Sequence, residues 1–211
     1  MAAKIKNIVF DLGGVLMTLD PNLFIEALRK IDPENFHTIG PAMKKDLVFK
    51  EYETGKISSD EFVHRLSAHY PNKPSRDTVE AAWNAMLIDF SHKRYELLQS
   101  LQSNYRLFLL SNTNSIHITH CDRYVKDKFG IPSLASLFEK AWYSHMLQLR
   151  KPDPEIYNYL LADAGIRAEE TLFIDDLSEN TTAAEGAGIK TWTLPSPDEL
   201  LRLPALLAEL Q

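Results

Sequence analysis

Apolar residues along this chain alternate between two spacings, one typical of strands and one typical of helices. Residues 5–10 are rich in Ile, Val and Phe and end at Asp-Leu-Gly-Gly, which predicts a buried strand followed by a tight turn. Further strands are predicted at residues 106–110, 138–143, 171–174 and 189–194, with helical patterns between them. Repeated strand and helix units predict an α/β fold with a doubly wound, mostly parallel sheet.

The middle of the chain departs from this alternation, because its apolar positions have helical spacing and no convincing strand. The helices predicted there are residues 23–31, a segment from 47 that ends near Gly55, one opened by Ser58 as N-cap, and residues 78–86. We therefore expect a small all-helical insert at residues 18–90, within a core made of residues 1–17 and 91–211.

Composition limits the classes of protein to consider. The 211 residues are 45% hydrophobic and 25% charged, as in a globular protein that buries a sizeable core. A formal net charge of −6 disfavours a nucleic-acid partner. The lone Cys121 forms no internal disulfide, no Cys/His spacing fits a zinc site, and no apolar run suits a membrane span. We expect a cytoplasmic protein with neither nucleic acid nor membrane as partner, and the oligomeric state stays open.

Polar side chains follow three of the predicted strands at the points where those strands end. These side chains are Asp11, Ser111, Asn112, Asp175 and Asp176. Because parallel sheets bind ligands just beyond the carboxyl ends of their strands, we expect them to converge. Three carboxylates in one cleft repel each other unless a cation lies among them, and their hard oxygens suit Mg²⁺ better than zinc. The sequence therefore predicts a Mg²⁺ site.

The first two of these motifs also have ordinary structural explanations. Asp11 is a candidate nucleophile, and the bare backbones of Gly13 and Gly14 let a ligand approach closely. A turn aspartate that bonds its own loop has the same pattern. Ser111 and Asn112 can donate hydrogen bonds to an anion, although such residues are common in loops.

Two later motifs differ in how strongly they point to chemistry. Lys151 could direct its ammonium at the same anion, or it could be a solvated lysine before a helix. Asp175 and Asp176 follow an apolar strand, where packing explains adjacent acids poorly. Asn180 lies four residues further on and could orient one of them, which favours a metal role for the pair.

The ordered set of motifs resembles the haloacid dehalogenase superfamily of hydrolases. Its four motifs are matched in order by Asp11-Leu-Gly-Gly-Val, Ser111-Asn-Thr-Asn, Lys151-Pro and the Asp175-Asp176 pair with Asn180. The resemblance covers essentially the whole chain and implies a Rossmann-like core, with the helical insert similar to the small helical cap of that superfamily. Within it, the first motif, Leu-Ser-Asn-Thr-Asn and Arg-Lys-Pro are most similar to bacterial sugar phosphatases such as the glucose-1-phosphate phosphatases.

This resemblance implies a mechanism. Asp11 would attack phosphorus to form an aspartyl-phosphate, which water then hydrolyses, while Lys151 and Mg²⁺ neutralise phosphoryl charge. The groups that would hold the phosphate are Ser111, Asn112 and the backbone of Gly13 and Gly14. The implied Mg²⁺ ligands are Asp11, Asp176 and the Gly13 carbonyl, with Asp175 as either a ligand or the partner of a ligand.

One position departs from the family pattern. Most phosphatases of this superfamily carry a second Asp two residues after the nucleophile as general acid and base, and here that position is Gly13. A water, a cap residue or a leaving group that needs little protonation, such as that of an anomeric sugar phosphate, would have to compensate. The glucose-1-phosphate phosphatases share this gap, which also leaves room for an inactive relative.

The resemblance places the turn at residues 53–58 opposite the site. There Glu53 and Lys56 could bind sugar hydroxyls. The alternative is that Gly55 only ends a helix, Ser58 caps the next, and the charges face water.

The function that these observations favour is a Mg²⁺-dependent phosphatase for a small phosphorylated metabolite, with sugar phosphates as the expected substrates. One alternative is a 2-haloacid dehalogenase type of hydrolase, in which the equivalent Asp attacks carbon without a metal. The other is a catalytically silent binding or regulatory protein on the same fold.

Overall fold

A computed structural model describes residues 3–210, apart from the side chain of Lys44. Its strands are β1 (Asn7–Phe10), β2 (Thr18–Leu19), β3 (Leu87–Asp89), β4 (Arg106–Ser111), β5 (Lys140–Tyr143), β6 (Thr171–Asp175) and β7 (Lys190–Thr193). Its α-helices are α1 (Pro21–Ile31), α2 (Phe36–Lys45), α3 (Val48–Glu53), α4 (Ser59–Ala68), α5 (Arg76–Asn84), α6 (His92–Leu101), α7 (Ser115–Phe129), α8 (Ser144–Leu147), α9 (Pro154–Ala164), α10 (Ser178–Gly186) and α11 (Leu203–Glu209). Short 3₁₀ turns cover Leu134–Leu137, Ala168–Glu170 and Pro197–Arg202. Across residues 3–210, none of these helices combines the length and apolarity that a membrane crossing needs.

Five strands form one parallel sheet in the order β5-β4-β1-β6-β7, which confirms the doubly wound α/β fold. Strand β1 lies at its centre, where Phe10 is in register with Leu109 of β4 and Ile174 of β6. Because the three strands run in the same direction, the residues that follow these positions emerge at one edge of the sheet. The central register therefore decides which side chains meet there.

Side chains of the central strands alternate between two apolar layers. Ile8 and Phe10 pack toward α6, α7 and α11, together with the buried free thiol of Cys121. Val9 and Phe173 face the other way and pack with α9 and α10. Because both faces are covered, each strand is apolar along its length, which is why the sequence shows continuous runs there.

Helices α1 to α5, which lie between β2 and β3 in the chain, form a third apolar cluster, to which Ile116 of α7 also contributes. Aromatic rings dominate it: Tyr52 and Phe62 stack with centroids 4.2 Å apart, and Phe24 meets Trp83 edge-on at 4.7 Å. Where the chain enters this segment, the buried Arg94 of α6 donates hydrogen bonds to Leu16 O and Thr18 Oγ1. The helical segment therefore has a separate core and a fixed connection to the sheet.

Several predicted helix ends are confirmed by their hydrogen bonds. Ser58 Oγ accepts from Glu61 N at 3.2 Å at the start of α4, as the capping pattern predicts. Gly165 ends α9 with a φ of 61°, a conformation that glycine adopts without strain. Asp153 does occupy the N-cap position of α9, but its side chain makes no capping hydrogen bond.

Two elements contradict the prediction for the middle of the chain. Strand β3 lies in the stretch where no strand was expected, because three residues that pair only with the two-residue β2 are too short to show a period. Helix α2 was also not predicted, because Gly40 and Pro41 interrupt its pattern. Its Ile39 and Met43 nevertheless pack into the apolar cluster of the helical segment.

A buried histidine joins the helical segment to the sheet domain. The ring of His117 on α7 stacks on Trp83 of α5 with centroids 4.7 Å apart. Its Nε2 lies 3.2 Å from Trp83 O, and its Nδ1 lies 3.3 Å from Asn114 Nδ2, so the bonded tautomer is neutral with Nε2–H as donor. Burial lowers the pKa of His117 from 6.5 to about 4.

This histidine predicts a loss of stability in acid. Between pH 6.5 and about 4 the unfolded chain binds a proton that folded His117 does not, so stability that is complete above this window falls as the pH is lowered. At about pH 4.5 the loss amounts to about 2–3 kcal/mol. Denaturant unfolding at neutral and acid pH should show this loss in the protein but not in His117→Gln. His37→Gln, a control at an exposed position, should lose as much unfolding free energy in acid as the unmodified protein. An equal loss in the unmodified protein, His117→Gln and His37→Gln would contradict the assignment of the acid effect to His117.

Candidate active site

Three carboxylates meet where the central strands end. Asp11 follows β1, Asp175 is the last residue of β6, and Asp176 comes next. One oxygen from each lies within 4.8 Å of the others. The convergence that the strand pattern predicts is therefore present in the structure.

A lysine lies between two of these carboxylates. Lys151 is 1% exposed, and its Nζ lies 2.8 Å from Asp11 Oδ1 and 2.6 Å from Asp175 Oδ2. An unpaired ammonium at such a buried position would be strongly disfavoured, so the two contacts are required for it to stay charged. The lysine before the helix is therefore no solvated residue but part of the site.

The electrostatics of the cluster show an excess of negative charge. Burial raises the pKa of Asp11 to about 7; Lys151 opposes this rise and Asp175 adds to it. Burial disfavours the Lys151 ammonium, but the Asp11 and Asp175 carboxylates outweigh this effect and raise the pKa of Lys151. Burial, followed by the charge of Asp175, also raises the pKa of Asp176. One ammonium does not neutralise three carboxylates, so the cluster favours a further cation.

The donor set fits Mg²⁺. Carboxylate oxygens are hard ligands, and the cluster contains no sulfur or imidazole that would favour zinc. Gly14 has a φ of 70° and lies so close to Asp176 that a Cβ at this position would overlap its Oδ2. The turn after β1 therefore needs glycine there, both for its conformation and for the close approach to a carboxylate of the cluster.

Asp175 is held by hydrogen bonds on both oxygens. Its Oδ1 accepts from Leu177 N and from Asn180 Nδ2, each at 2.9 Å, while Oδ2 faces Lys151. The contact from Asn180 is the orienting contact expected from its spacing. These bonds fix the carboxylate in one orientation, with one oxygen directed at the lysine.

Residues at the end of β4 differ in what they contact. The Asn112 side chain donates to Lys151 O at 2.8 Å and accepts from Lys151 N at 2.9 Å, so it holds the backbone of the lysine loop. Ser111 is 2% exposed, and no partner in residues 3–210 hydrogen-bonds its hydroxyl. Asn112 thus positions Lys151, whereas the hydroxyl of Ser111, without a hydrogen-bond partner in residues 3–210, can bind a ligand.

The turn after α3 approaches the same edge of the sheet. Glu53 O accepts from Ser144 Oγ at 2.6 Å, and the Glu53 carboxylate lies 4.0 Å from Arg150 Nη2. Lys56 is exposed, with no side-chain partner within the described part of the chain. The structure brings Glu53 against the core and leaves the Lys56 ammonium in solvent.

Ser144 and Arg150 belong to this region, although neither was predicted as a site residue from the sequence. Ser144 directly follows a predicted strand, so the rule that flagged Asp11 and Ser111 would have found it. Arg150 precedes Lys151 and has a buried Nε without a hydrogen-bond partner among residues 3–210. No spacing in the sequence indicates that Arg150 faces Glu53, because the contact joins two distant segments.

Comparisons with known proteins agree with the resemblance seen in the motifs. A family model described as a haloacid dehalogenase-like hydrolase matches residues 5–188. The curated D-ribitol-5-phosphate phosphatase of Bacteroides thetaiotaomicron is 30% identical over 188 residues, which cover 89% of this chain and 91% of that protein.

Two solved structures are similar over nearly the whole chain. An HAD family enzyme from Bacteroides thetaiotaomicron, in complex with magnesium and inorganic phosphate, is 35% identical, covers 90% of this chain and 93% of its own, and gives a TM-score of 0.78. An HAD-like family hydrolase from Porphyromonas gingivalis is 33% identical, covers 99% of each chain and gives a TM-score of 0.84.

The close approach of Gly14 to Asp176 can be tested with two matched glycine variants. Gly14 and Gly130 both have positive φ, but a Cβ on Gly130 meets no atom within 4 Å. Without metal, Gly130→Ala should lose about 1–2 kcal/mol from backbone strain, and Gly14→Ala should lose more. Added Mg²⁺ should raise the Tm of the protein and of Gly130→Ala, but not that of Gly14→Ala, because the new methyl displaces Asp176. An equal rise in all three proteins would remove Asp176 from the metal site.

Proposed function

The chain belongs to the haloacid dehalogenase-like hydrolase family, and from that premise we propose that it is a Mg²⁺-dependent phosphatase for a small phosphorylated metabolite, with sugar or alditol phosphates as its substrate class. One observation carries this proposal: a buried ammonium, Lys151, lies 2.8 Å from the strand-end carboxylate of Asp11, within a cluster of three acids. This arrangement pairs a nucleophile with the positive charge that a phosphoryl group requires.

In the proposed mechanism Asp11 is the nucleophile. Its carboxylate oxygen forms a bond to phosphorus while the bond from phosphorus to the leaving oxygen breaks, which gives an aspartyl-phosphate. Water then attacks phosphorus, and the bond to Asp11 breaks to release inorganic phosphate. Lys151 favours the ionised form of Asp11 and orients it before the attack, and it remains close to the negative charge that develops.

The cluster would hold Mg²⁺ through Asp11, Asp176 and the Gly13 carbonyl, with Asp175 as a ligand or as the partner that fixes Lys151. When bound, Mg²⁺ supplies positive charge that offsets the charge of the phosphoryl group. A related HAD family enzyme from Bacteroides thetaiotaomicron has been solved with magnesium and inorganic phosphate, which supports this assignment.

The phosphate would be held by groups at two strand ends. The hydroxyl of Ser111, which has no hydrogen-bond partner in residues 3–210, and the backbone of Gly13 would contact its oxygens. The Gly14 amide instead donates to Met17 O at 2.9 Å within its own turn. Asn112 would act indirectly, because its amide is engaged by the backbone of Lys151. The sequence suggested that Asn112 contacts the phosphate, but its hydrogen bonds favour a role in positioning Lys151.

We propose that residues 18–90 act as a cap over a core formed by residues 1–17 and 91–211. The turn at Glu53 would face the substrate's leaving group, since Glu53 O is bonded to Ser144 at the end of β5. A relative named for D-ribitol-5-phosphate supports a polyhydroxylated substrate. The exposed Lys56 could then contact a hydroxyl only at the rim of the cleft.

The two alternatives have less support. A metal-free 2-haloacid dehalogenase would leave the three acids with only Lys151 to compensate them, which is unfavourable in a buried cluster. A silent binding protein is favoured by Gly13 alone. The pairing of Lys151 with Asp11 opposes it, because a binding protein has no need of a buried carboxylate aimed into the cleft.

Phosphate release tests the proposal directly. The candidate substrates to assay are sugar 1-phosphates, sugar 6-phosphates, alditol 5-phosphates, nucleotides and FMN, each with and without Mg²⁺. We expect Mg²⁺-dependent release from at least one polyhydroxylated ester, and Asp11→Asn should reduce it by more than about 10³-fold, because the nucleophile is lost. Asp127→Asn, at an exposed position on α7, should keep full activity. Release that survives in Asp11→Asn would rule out the mechanism.

The metal requirement has its own test. Asp176→Asn keeps the size of the side chain but removes its charge, so the Mg²⁺ concentration for half-maximal activity should rise roughly tenfold or more. The same titration with Asp127→Asn serves as control. An unchanged Mg²⁺ requirement in Asp176→Asn would exclude this residue as a ligand.

A further inference from the structure

The position that usually carries the general acid has no carboxyl group in this protein. Gly13 has no side chain, and a Cβ built there would lie 2.5 Å from Leu19 Cδ1. Leu19 of β2 therefore occupies the space next to this position. An alkoxide leaving group needs a proton as its bond to phosphorus breaks, so another residue or a water has to supply that proton.

The backbone of Glu53 is bonded to the residues that follow β4 and β5. Ser144 is fully buried, and its Oγ donates to Glu53 O at 2.6 Å while it accepts from Thr113 N at 2.9 Å. Thr113 lies two residues after Ser111, at the end of β4. The last residue of α3 is thus bonded, through one serine, to the loop that would hold the phosphate.

The same region contains a second close approach between the helical segment and the core. Gly55 has a φ of 67°, and a Cβ there would overlap His145 O. The turn that carries Glu53 therefore lies against α8 with no room for a side chain at Gly55. Its position over the ends of β4 and β5 is set by two independent contacts.

The Glu53 carboxyl group is left without a hydrogen bond. Its side chain is 30% exposed and faces Arg150 Nη2 at 4.0 Å, and none of residues 3–210 donates to it. Burial raises the pKa of Glu53, although Arg150 acts in the opposite direction. A half-buried carboxyl with a raised pKa and a free oxygen has the properties of a proton donor.

Sequence adjacency connects this carboxyl to the nucleophile. Arg150, which faces Glu53, directly precedes Lys151, whose ammonium contacts Asp11. Glu53 of the helical segment therefore contacts Arg150, and Asp11 of the sheet contacts the next residue, Lys151. For Glu53 to act on the leaving group, a substrate phosphate bound at Asp11 has to direct that group toward the helical segment.

We propose that Glu53 is the general acid and base of this phosphatase, in place of the carboxyl group missing at Gly13. The inference rests on the proposed function. In the first step Asp11 bonds to phosphorus, the bond to the leaving oxygen breaks, and that oxygen takes the Glu53 proton and departs as an alcohol. In the second step Glu53 takes a proton from the water that attacks phosphorus, so the free acid is restored as phosphate leaves.

His145 is the other titratable side chain at this turn. Its Nδ1 lies 3.1 Å from Thr113 O, to which it donates, and burial lowers the pKa of His145. A neutral imidazole whose only proton is bound to a backbone carbonyl is a poor donor to a leaving group. Glu53 is therefore the better candidate, and His145→Gln becomes a comparison variant.

The experiment compares leaving groups, because a general acid matters only where the leaving oxygen needs a proton. Values of kcat/KM for p-nitrophenyl phosphate, whose leaving group departs unprotonated, are set against those for the best alkyl phosphate of the panel. Glu53→Gln should lower kcat/KM for the alkyl ester by about 100-fold and for p-nitrophenyl phosphate by less than about fivefold. Glu53→Asp should regain part of the alkyl activity, because it keeps a carboxylic acid.

Controls separate the possible outcomes. Glu26→Gln makes the same change at an exposed position on α1 and should leave both substrates unaffected. If Glu53→Gln lowers kcat/KM equally for both substrates, Glu53 is a binding or structural residue. If it lowers neither value, water supplies the proton to the leaving group. If only His145→Gln lowers kcat/KM selectively for the alkyl ester, His145 and not Glu53 is the general acid. A protein that hydrolyses neither ester, or an active Asp11→Asn, would instead overturn the proposed function.

Discussion

The ion pair network around Lys151 is the constraint on which the site depends. A buried ammonium is stable only between the carboxylates of Asp11 and Asp175, and these carboxylates tolerate each other only because the ammonium lies between them. Removal of Lys151 would leave two buried carboxylates without the ammonium that lies between them. Asn112 and Asn180 serve the same network, since one holds the Lys151 backbone and the other orients Asp175.

The parallel sheet makes this network possible. Phe10 and Ile174 lie side by side in the central strands, so the acids that follow them emerge next to each other without any long-range adjustment of loops. The lysine arrives from a more distant part of the chain and is brought in by Asn112 at the end of β4. The rigid elements thus place the negative charges, and a hydrogen-bonded loop places the positive one.

The sequence allowed the main sheet and the acid cluster to be predicted, because strands buried on both faces leave long apolar runs and parallel strands end at one edge. It did not reveal β3 and α2, which are too short or too interrupted by Gly40 and Pro41 to show a period. The bond from Ser144 to Glu53 was equally hidden, because its acceptor is a backbone carbonyl that every residue has. Side-chain patterns predict layers and strand ends, whereas contacts to distant backbone atoms require the folded chain.

The charge of the cleft implies an order of binding. When ionised, three carboxylates and one ammonium carry a formal excess of two negative charges, and this excess repels a phosphate dianion. A divalent cation would remove that excess, so we expect the cation to bind before the phosphate. The partial exposure of Asp176, in contrast to the buried Asp175, leaves the cluster accessible from the cleft. An acidic protein would then be able to bind an acidic substrate, because a divalent cation and Lys151 together would neutralise the three carboxylates.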